Sequence, residues 1–143
     1  MSRWTSPPLE NLNILRARYD VVISEADGSK RLPLKVHTER DPVVPGFTTD
    51  TVSVSGLWGI GKKACEVSFG DDRDIIVDED YLQWYIDNPQ GLLKETMKGR
   101  RTVLFNGADD MPDLSVLRKL RFPEDVRVFA CSEKEGKIYE KIR

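Results

Sequence analysis

The 143-residue sequence predicts an α+β fold, a mixed and mainly antiparallel sheet of hairpins with three or four short helices and a C-terminal β-α-β-β segment. Three observations carry this. Apolar and polar residues alternate with a period of two through much of residues 18–69. An acidic cap at Asp78 then opens a stretch whose aromatic residues recur at helical spacing. The last third reads as strand, helix, strand and hairpin, a pattern compatible with a right-handed parallel crossover. The length suits one domain, residues 1–143, and no flexible tether interrupts it.

The elements follow in order. Residues 1–8 form an extended lead-in, with Ser6 placed to cap a short helix over residues 7–16 and Pro7 in its first turn. RYDVVISE (18–25) reads as a strand, and Asp27-Gly28 as a hairpin turn. RLPLKVHTE (31–39) is the returning strand, at an edge because Pro33 cannot donate to a ladder. Residues 40–50 form a loop with two prolines and a glycine. TVSVSGLW (51–58) is a strand with Val52, Val54 and Leu57 inward. ACEVSF (64–69) returns as a strand after a glycine turn, and IIVD (75–78) is a short buried strand.

Asp78 caps a helix through Asn88, with Glu79 and Asp80 in the first turn to complement the helix dipole. A second helix, PQGLLKETMK (89–98), stops at Gly99. TVLFN (102–106) is a continuous apolar strand, Asp109 or Asp110 caps a helix through Leu120, and VRVFACS (126–132) and IYEKI (138–142) are strands joined by the KEGK turn.

Charge is unevenly placed. The total is −2, but residues 64–89 hold eight carboxylates against the single cation Arg73, a local charge of −7. A dedicated nucleic-acid binder shows a basic field, so direct nucleic-acid contact is not expected. The N-terminus lacks the apolar core of a signal peptide, and no apolar run approaches the roughly 20 residues of a membrane helix. A cytoplasmic protein without membrane contact is the expectation. Cys65 and Cys131 lie in apolar runs and read as buried, reduced thiols. With one histidine, His37, they do not complete a zinc set, and no metal or other cofactor is expected.

Several motifs fail on inspection. Gly56-Leu-Trp-Gly-Ile-Gly61-Lys62-Lys63 has the glycine and lysine spacing of a phosphate-binding loop. Position 63 is lysine where a magnesium-ligating hydroxyl is needed, and a strand-like run follows where a helix must begin. Glu135-x-Lys137 resembles half of a nuclease metal site, but Gly136 places it in a turn. The turn Asp71-Asp72-Arg73-Asp74 lacks the spacing of a calcium-binding loop.

The function expected from this is interaction rather than catalysis. The acidic hairpin (Asp71, Asp72, Asp74), the adjoining helix start (Asp78, Glu79, Asp80) and Trp58 in its glycine-rich turn would bind a basic protein partner. A short chain with no placeable motif also fits the accessory proteins that phages and mobile elements carry. The rival class is an enzyme or small-ligand binder whose site is assembled from His37, Glu39, Asp41, Cys65 and the loop Asn106–Asp110, with Asp109. A third is a subunit of a homo-oligomer or particle.

Overall fold

The structure, a computed structural model, describes residues 8–143. The expected lead-in and the Ser6 cap lie outside those residues. Helix α1 (Leu9–Arg18) opens the described chain. Strand β1 (Leu34–Lys35) follows, then β2 (Asp50–Gly56), a one-turn helix α2 (Ala64–Val67), β3 (Ser68–Phe69) and helix α3 (Glu79–Asp87). The chain ends with β4 (Arg100–Asn106), α4 (Ser115–Lys119), β5 (Val126–Ser132) and β6 (Lys137–Lys141).

The protein is α+β with a mixed sheet of four strands in the order β2-β4-β5-β6 and a separate pair, β1-β3. Helices and strands are both present as expected, but the pairing is less antiparallel than hairpin signals suggest. Strands β2, β4 and β5 are parallel, as are β1 and β3, and β6 runs antiparallel to β5. The parallel links arise because long stretches, not tight turns, join these strands. Residues 57–99 carry the chain from β2 to β4, and residues 107–125 carry it from β4 to β5. The crossover and terminal hairpin of the last third form as expected.

Register decides which face of β2 is inward. Ser53 pairs with Val103 and Ser55 with Phe105. Val103 and Phe105 are buried, and the paired serines share their face. Val52 and Val54 therefore point the other way and are exposed, the reverse of the expected orientation. Small serines let the chain after α3 lie close, and Ser53 Oγ donates to the Leu92 carbonyl at 2.9 Å. A one-residue change of register exchanges the faces of a strand, so a seven-residue run with valines on one side does not fix the burial by itself. Leu57 is buried as expected.

Helix α3 forms where the sequence places it. The Asp78 carboxylate accepts from Tyr81 N at 2.9 Å, and Tyr81, Leu82, Tyr85 and Ile86 turn one face into the core. Val128, Ala130, Val103 and Phe105 supply the facing sheet surface. The expected second helix at 89–98 is instead a series of turns. Leu92 N donates to the Tyr85 carbonyl at 2.9 Å, folding the chain back under the end of α3. Leu92, Leu93 and Lys94 are buried in succession, with Met97, a pattern that does not fit the single buried stripe of an amphipathic helix.

Two further expectations are corrected. Residues 64–67 of the expected strand ACEVSF form α2, because Ala64 and Val67 bury at helical spacing, and only Ser68 and Phe69 are extended in a ladder. Cys65 is consequently exposed, and Cys131 is half-buried; both are free thiols. The expected hairpin over 18–39 also does not form. Its turn lies at Ser29–Leu32 rather than at Asp27-Gly28, with Lys30 and Arg31 at φ of 53° and 68°. Residues 19–25 pair with no strand.

Candidate functional site around Lys35

The turn at Ser29–Leu32 delivers the chain to β1. Pro33 has no N–H, but its carbonyl accepts from Gly56 N at 2.8 Å, which ties β1 to the C-terminal end of β2. Lys35 is thereby carried into the interior. Its backbone N–H donates to Tyr85 Oη at 3.1 Å, and its side chain is buried. A lone buried ammonium is costly, so it requires carboxylates. Asp27 and Asp41 supply them: Lys35 Nζ contacts Asp27 Oδ2 closely and Asp41 Oδ2 at 2.7 Å, and it also donates to the Gly28 carbonyl at 3.1 Å. Burial alone would lower the Lys35 pKa, but the hydrogen bonds and charges of the two carboxylates outweigh it and raise the value.

Asp27 Oδ2 also meets His37 Nδ1 at 2.9 Å. The His37 pKa lies below its ordinary value because burial, the largest effect, outweighs the attraction of Asp27. His37 is therefore neutral at pH 7. A carboxylate oxygen accepts only, so Nδ1 carries the proton and Nε2 keeps its lone pair. Burial opposes ionisation of Asp41, yet hydrogen bonds from Lys35 and from Thr38 N and Oγ1 hold its carboxyl well below the usual range. Ligand atoms of Asp27, His37 and Asp41 all lie within 4.8 Å of one another.

Lys94 supports the segment from below. It is 2% exposed and donates to the Thr38 carbonyl at 2.9 Å and to Gln90 Oε1 at 2.5 Å. His37 N donates to the Gln90 carbonyl at 2.7 Å. The segment that carries the charged residues is thus clamped by its backbone, at His37 and Thr38, to the turns after α3.

Of the residues that sequence reading singled out, His37 and Asp41 come together here. Glu39 is exposed and makes no hydrogen bond or ion pair among the described residues. Asn106, Asp109 and Asp110 lie at the end of β4 and form a separate group: Asn106 Oδ1 accepts from Glu133 N at 2.8 Å, and Asp109 lies 3.7 Å from Lys134 Nζ. No hydrogen bond or ion pair joins that group to His37 among the described residues. Asp27, Lys35 and Lys94 escaped the sequence reading. Lys35 carries no local signal, since it alternates with the apolar positions Leu32, Leu34 and Val36 and so reads as outward-facing, and its acids Asp41 and Asp27 lie six and eight residues away.

The acidic segment is partly neutralised inside the fold. Asp71 is 6% exposed, pairs bidentately with Arg73 at 2.9 and 2.7 Å and accepts from Tyr81 Oη at 2.8 Å. The Arg73 guanidinium stands 3.7 Å over the Trp84 ring. Asp74 pairs with Lys63 at 2.8 Å, Glu79 with Lys119 at 2.9 Å, and Asp78 is spent as the α3 cap. Asp72 and Asp80 are exposed without a partner among the described residues. Trp58, 47% exposed, lies across Gly56 and Gly107 at the ends of β2 and β4.

The glycine-lysine run Gly56–Lys63 does precede a helix, α2, unlike the expected strand. The amides that open α2 are nevertheless taken: Ala64 N donates to Ile75 O at 2.8 Å, Cys65 N to Arg73 O at 3.1 Å and Glu66 N to Lys63 O at 3.0 Å, and Gly61 N donates to Val77 O at 2.8 Å. Among the described residues, this helix start has no free amide in its first turn to hold a phosphate.

The chain is similar to the YqeC proteins. That family matches residues 3–69, a span that contains Asp27, Lys35, His37 and Asp41. The uncharacterized protein YqeC of Escherichia coli (strain K12) is 29% identical over 102 residues, which cover 64% of this chain and 40% of the relative. The chain thus spans well under half the length of that relative. No solved structure matches it. No helix among the described residues is long and apolar enough to cross a membrane.

Proposed function

We propose that this chain is a small-ligand binding domain whose working site is Asp27, His37 and Asp41, and that its ligand is a divalent cation of intermediate softness such as Zn²⁺ or Mn²⁺. The observation that carries this is the convergence of two carboxylates and a neutral imidazole on one point, with an ammonium, that of Lys35, standing where a cation would. One imidazole and two carboxylates suit such metals. For His37 to ligate through the nitrogen that faces the two acids, its proton moves from Nδ1 to Nε2 and the hydrogen bond to Asp27 is given up. On entry of the ion, Lys35 Nζ swings aside and its two acids become ligands.

Calorimetric titration of Zn²⁺ and of Mn²⁺ tests this. At an effective dielectric of about 20, a charge about 4 Å away is worth roughly 4 kcal/mol. Lys35→Met removes the competing charge, so affinity rises by about tenfold or more, and the ion restores thermal stability lost when the acids lose their partner. Asp41→Asn abolishes binding. A Lys35→Met variant that keeps its circular dichroism and binds neither ion overturns the proposal.

A second reading has its own observation. Exposed Ile75 and Ile76 line a shallow groove with Arg73, Asp78, Asp80 and Trp84. An apolar floor with an acidic rim suits a basic protein partner, reached also by Asp72 and Asp74. Recovery of a stoichiometric basic protein from the native host, lost with Asp72→Asn, Asp74→Asn and Asp80→Asn together, supports it. Recovery unchanged by those substitutions removes it.

A further inference from the structure

The geometry points to β2 as the seam of a symmetric dimer, in which it pairs antiparallel with β2 of a second copy of this chain. Strand β2 is an edge of the four-stranded sheet, seven residues long and in unbroken register with β4. Sheet edges are templates for pairing, and proteins blunt them with lysines, prolines, bulges or short strands. The opposite edge, β6, is blunted in this way. It carries exposed Lys137 and Lys141, and its pairing with β5 shifts register between Ala130 and Cys131. Strand β2, DTVSVSG, has no lysine, arginine or proline, and its only charge is Asp50 at one end. In a parallel ladder, each residue turns its N–H and C=O to the same side, and alternate residues turn to opposite sides. Gly56 N donates away from β4, to Pro33 O at 2.8 Å, so Val52 and Val54, of the same parity, also turn outward. The Thr49 carbonyl, of the other parity, accepts from Arg100 N at 2.8 Å. Neither Val52 nor Val54 makes a backbone hydrogen bond on the outer side among the described residues, so their N–H and C=O groups are free.

The strand's own symmetry identifies the occupant. About Ser53, the run Thr51-Val52-Ser53-Val54-Ser55 reads nearly the same in both directions. A two-fold axis at Ser53 sets Val52 opposite Val54 of the second copy, and Val54 opposite its Val52. Both are outward-turned residues, so each such pair exchanges both of its N–H···O bonds. The same register puts Ser53 against Ser53, Thr51 against Ser55 and Asp50 against Gly56, so like charges do not meet. Val52 and Val54, 52% and 63% exposed, touch across the seam, and cross-strand pairs of β-branched residues stabilise a sheet. The contact is isologous, the same patch on both copies. An unrelated strand would find the same donors and acceptors but not this match of side chains. A seam this short buries less than a standard interface, so the dimer forms as concentration rises. The inference rests on neither the cation reading nor the groove reading.

Light scattering of the full chain over a range of concentrations, with amide hydrogen exchange at each, tests it. The expected mass rises from 16.3 kDa toward twice that value. The amides of Val52 and Val54 exchange freely in dilute protein and slow by about tenfold or more in concentrated protein, while that of Ser53, held by β4, is protected throughout. Val52→Lys/Val54→Lys sets like charges opposite each other across the seam and should be monomeric, as should Val52→Glu/Val54→Glu. Mixed in equal amounts, the two variants should pair. Both alter exposed side chains outside the core. If either fails to fold, the exchange measurement on the parent protein decides alone. A parent that is monomeric at every concentration overturns the proposal. So does a dimer in which the Val52 and Val54 amides exchange freely, or protection of those amides already present in dilute protein. A dimer that survives in either charge variant, or a mixture of the two folded variants that stays monomeric, overturns it as well.

Discussion

His37 is the only histidine in the chain, so its titration can be read without a competing imidazole. Burial lowers its pKa below 6.5 in the folded protein. Between that ordinary value and the lower folded one, the unfolded chain binds a proton that the native state refuses. Stability contributed by the neutral ring is therefore fully present above about pH 6.5 and is lost as pH falls through the folded pKa. Urea unfolding at pH 7.5 and at pH 5.5 should show a drop for the parent protein and a smaller drop for His37→Gln. Equal slopes in the two proteins would mean that Asp27 stabilises the imidazolium as well as it does the neutral ring. The same residue shows what sequence reading missed. As one of the alternating positions of KVHTE, His37 looks like an outward-facing strand residue. It is drawn in because the chain leaves the ladder after Lys35 and its backbone is taken up by Gln90. Nothing local in the sequence announces a hydrogen bond to a residue fifty positions away.

At the scale of elements, the legible parts are those whose signals are local. Asp78 and the apolar stripe of α3 specify a helix by capping and period, and the structure keeps both. The run of apolar residues in β4 specifies a buried strand, and it is one. Illegible parts depended on partners far along the chain: the inward face of β2, set by its register against β4, and the turns at 89–98, set by the burial of Leu92, Leu93, Lys94 and Met97. The turn before Lys35 is a third case. Asp27-Gly28 has the favoured hairpin chemistry, yet positive φ falls on Lys30 and Arg31. The left-handed region costs an L-residue about 1–2 kcal/mol, and two such residues in succession mark a turn of the primed kind. Arg31 is exposed and makes no hydrogen bond among the described residues. Arg31→Gly should accordingly raise stability by about 1 kcal/mol in chemical denaturation. Asp78→Ala, which removes the α3 cap, should lower it by about the same amount. Opposite signs from two surface substitutions would separate backbone strain from loss of a hydrogen bond.

For the whole molecule, the acidic middle of the sequence becomes a matter of how the fold holds its charge. Most of its carboxylates that have a partner meet it at the surface, where ion pairs contribute little and are screened by salt. Asp71 differs because it is buried, and its hydrogen bonds from Arg73, ahead of the opposing effect of burial, lower its pKa to about 2. A depressed carboxylate contributes stability that is present above its unfolded pKa, near 3.8, and is lost as pH falls toward the folded value. The difference corresponds to on the order of 2 kcal/mol. Acid unfolding followed from pH 5 to pH 2 should therefore be steep in the parent protein. It should be shallower over that window in Asp71→Asn, which is less stable at pH 7 but has no charge there to lose. Asp125→Asn, which removes an exposed partner of Arg101, should leave the profile nearly unchanged. Repeating the titration in 1 M salt distinguishes the two further, because the exposed pairs are already screened while the buried Asp71–Arg73–Tyr81 group is not. A parent profile that flattens in salt as much as Asp71→Asn does would place the acid sensitivity in the general field of the −7 segment rather than in Asp71.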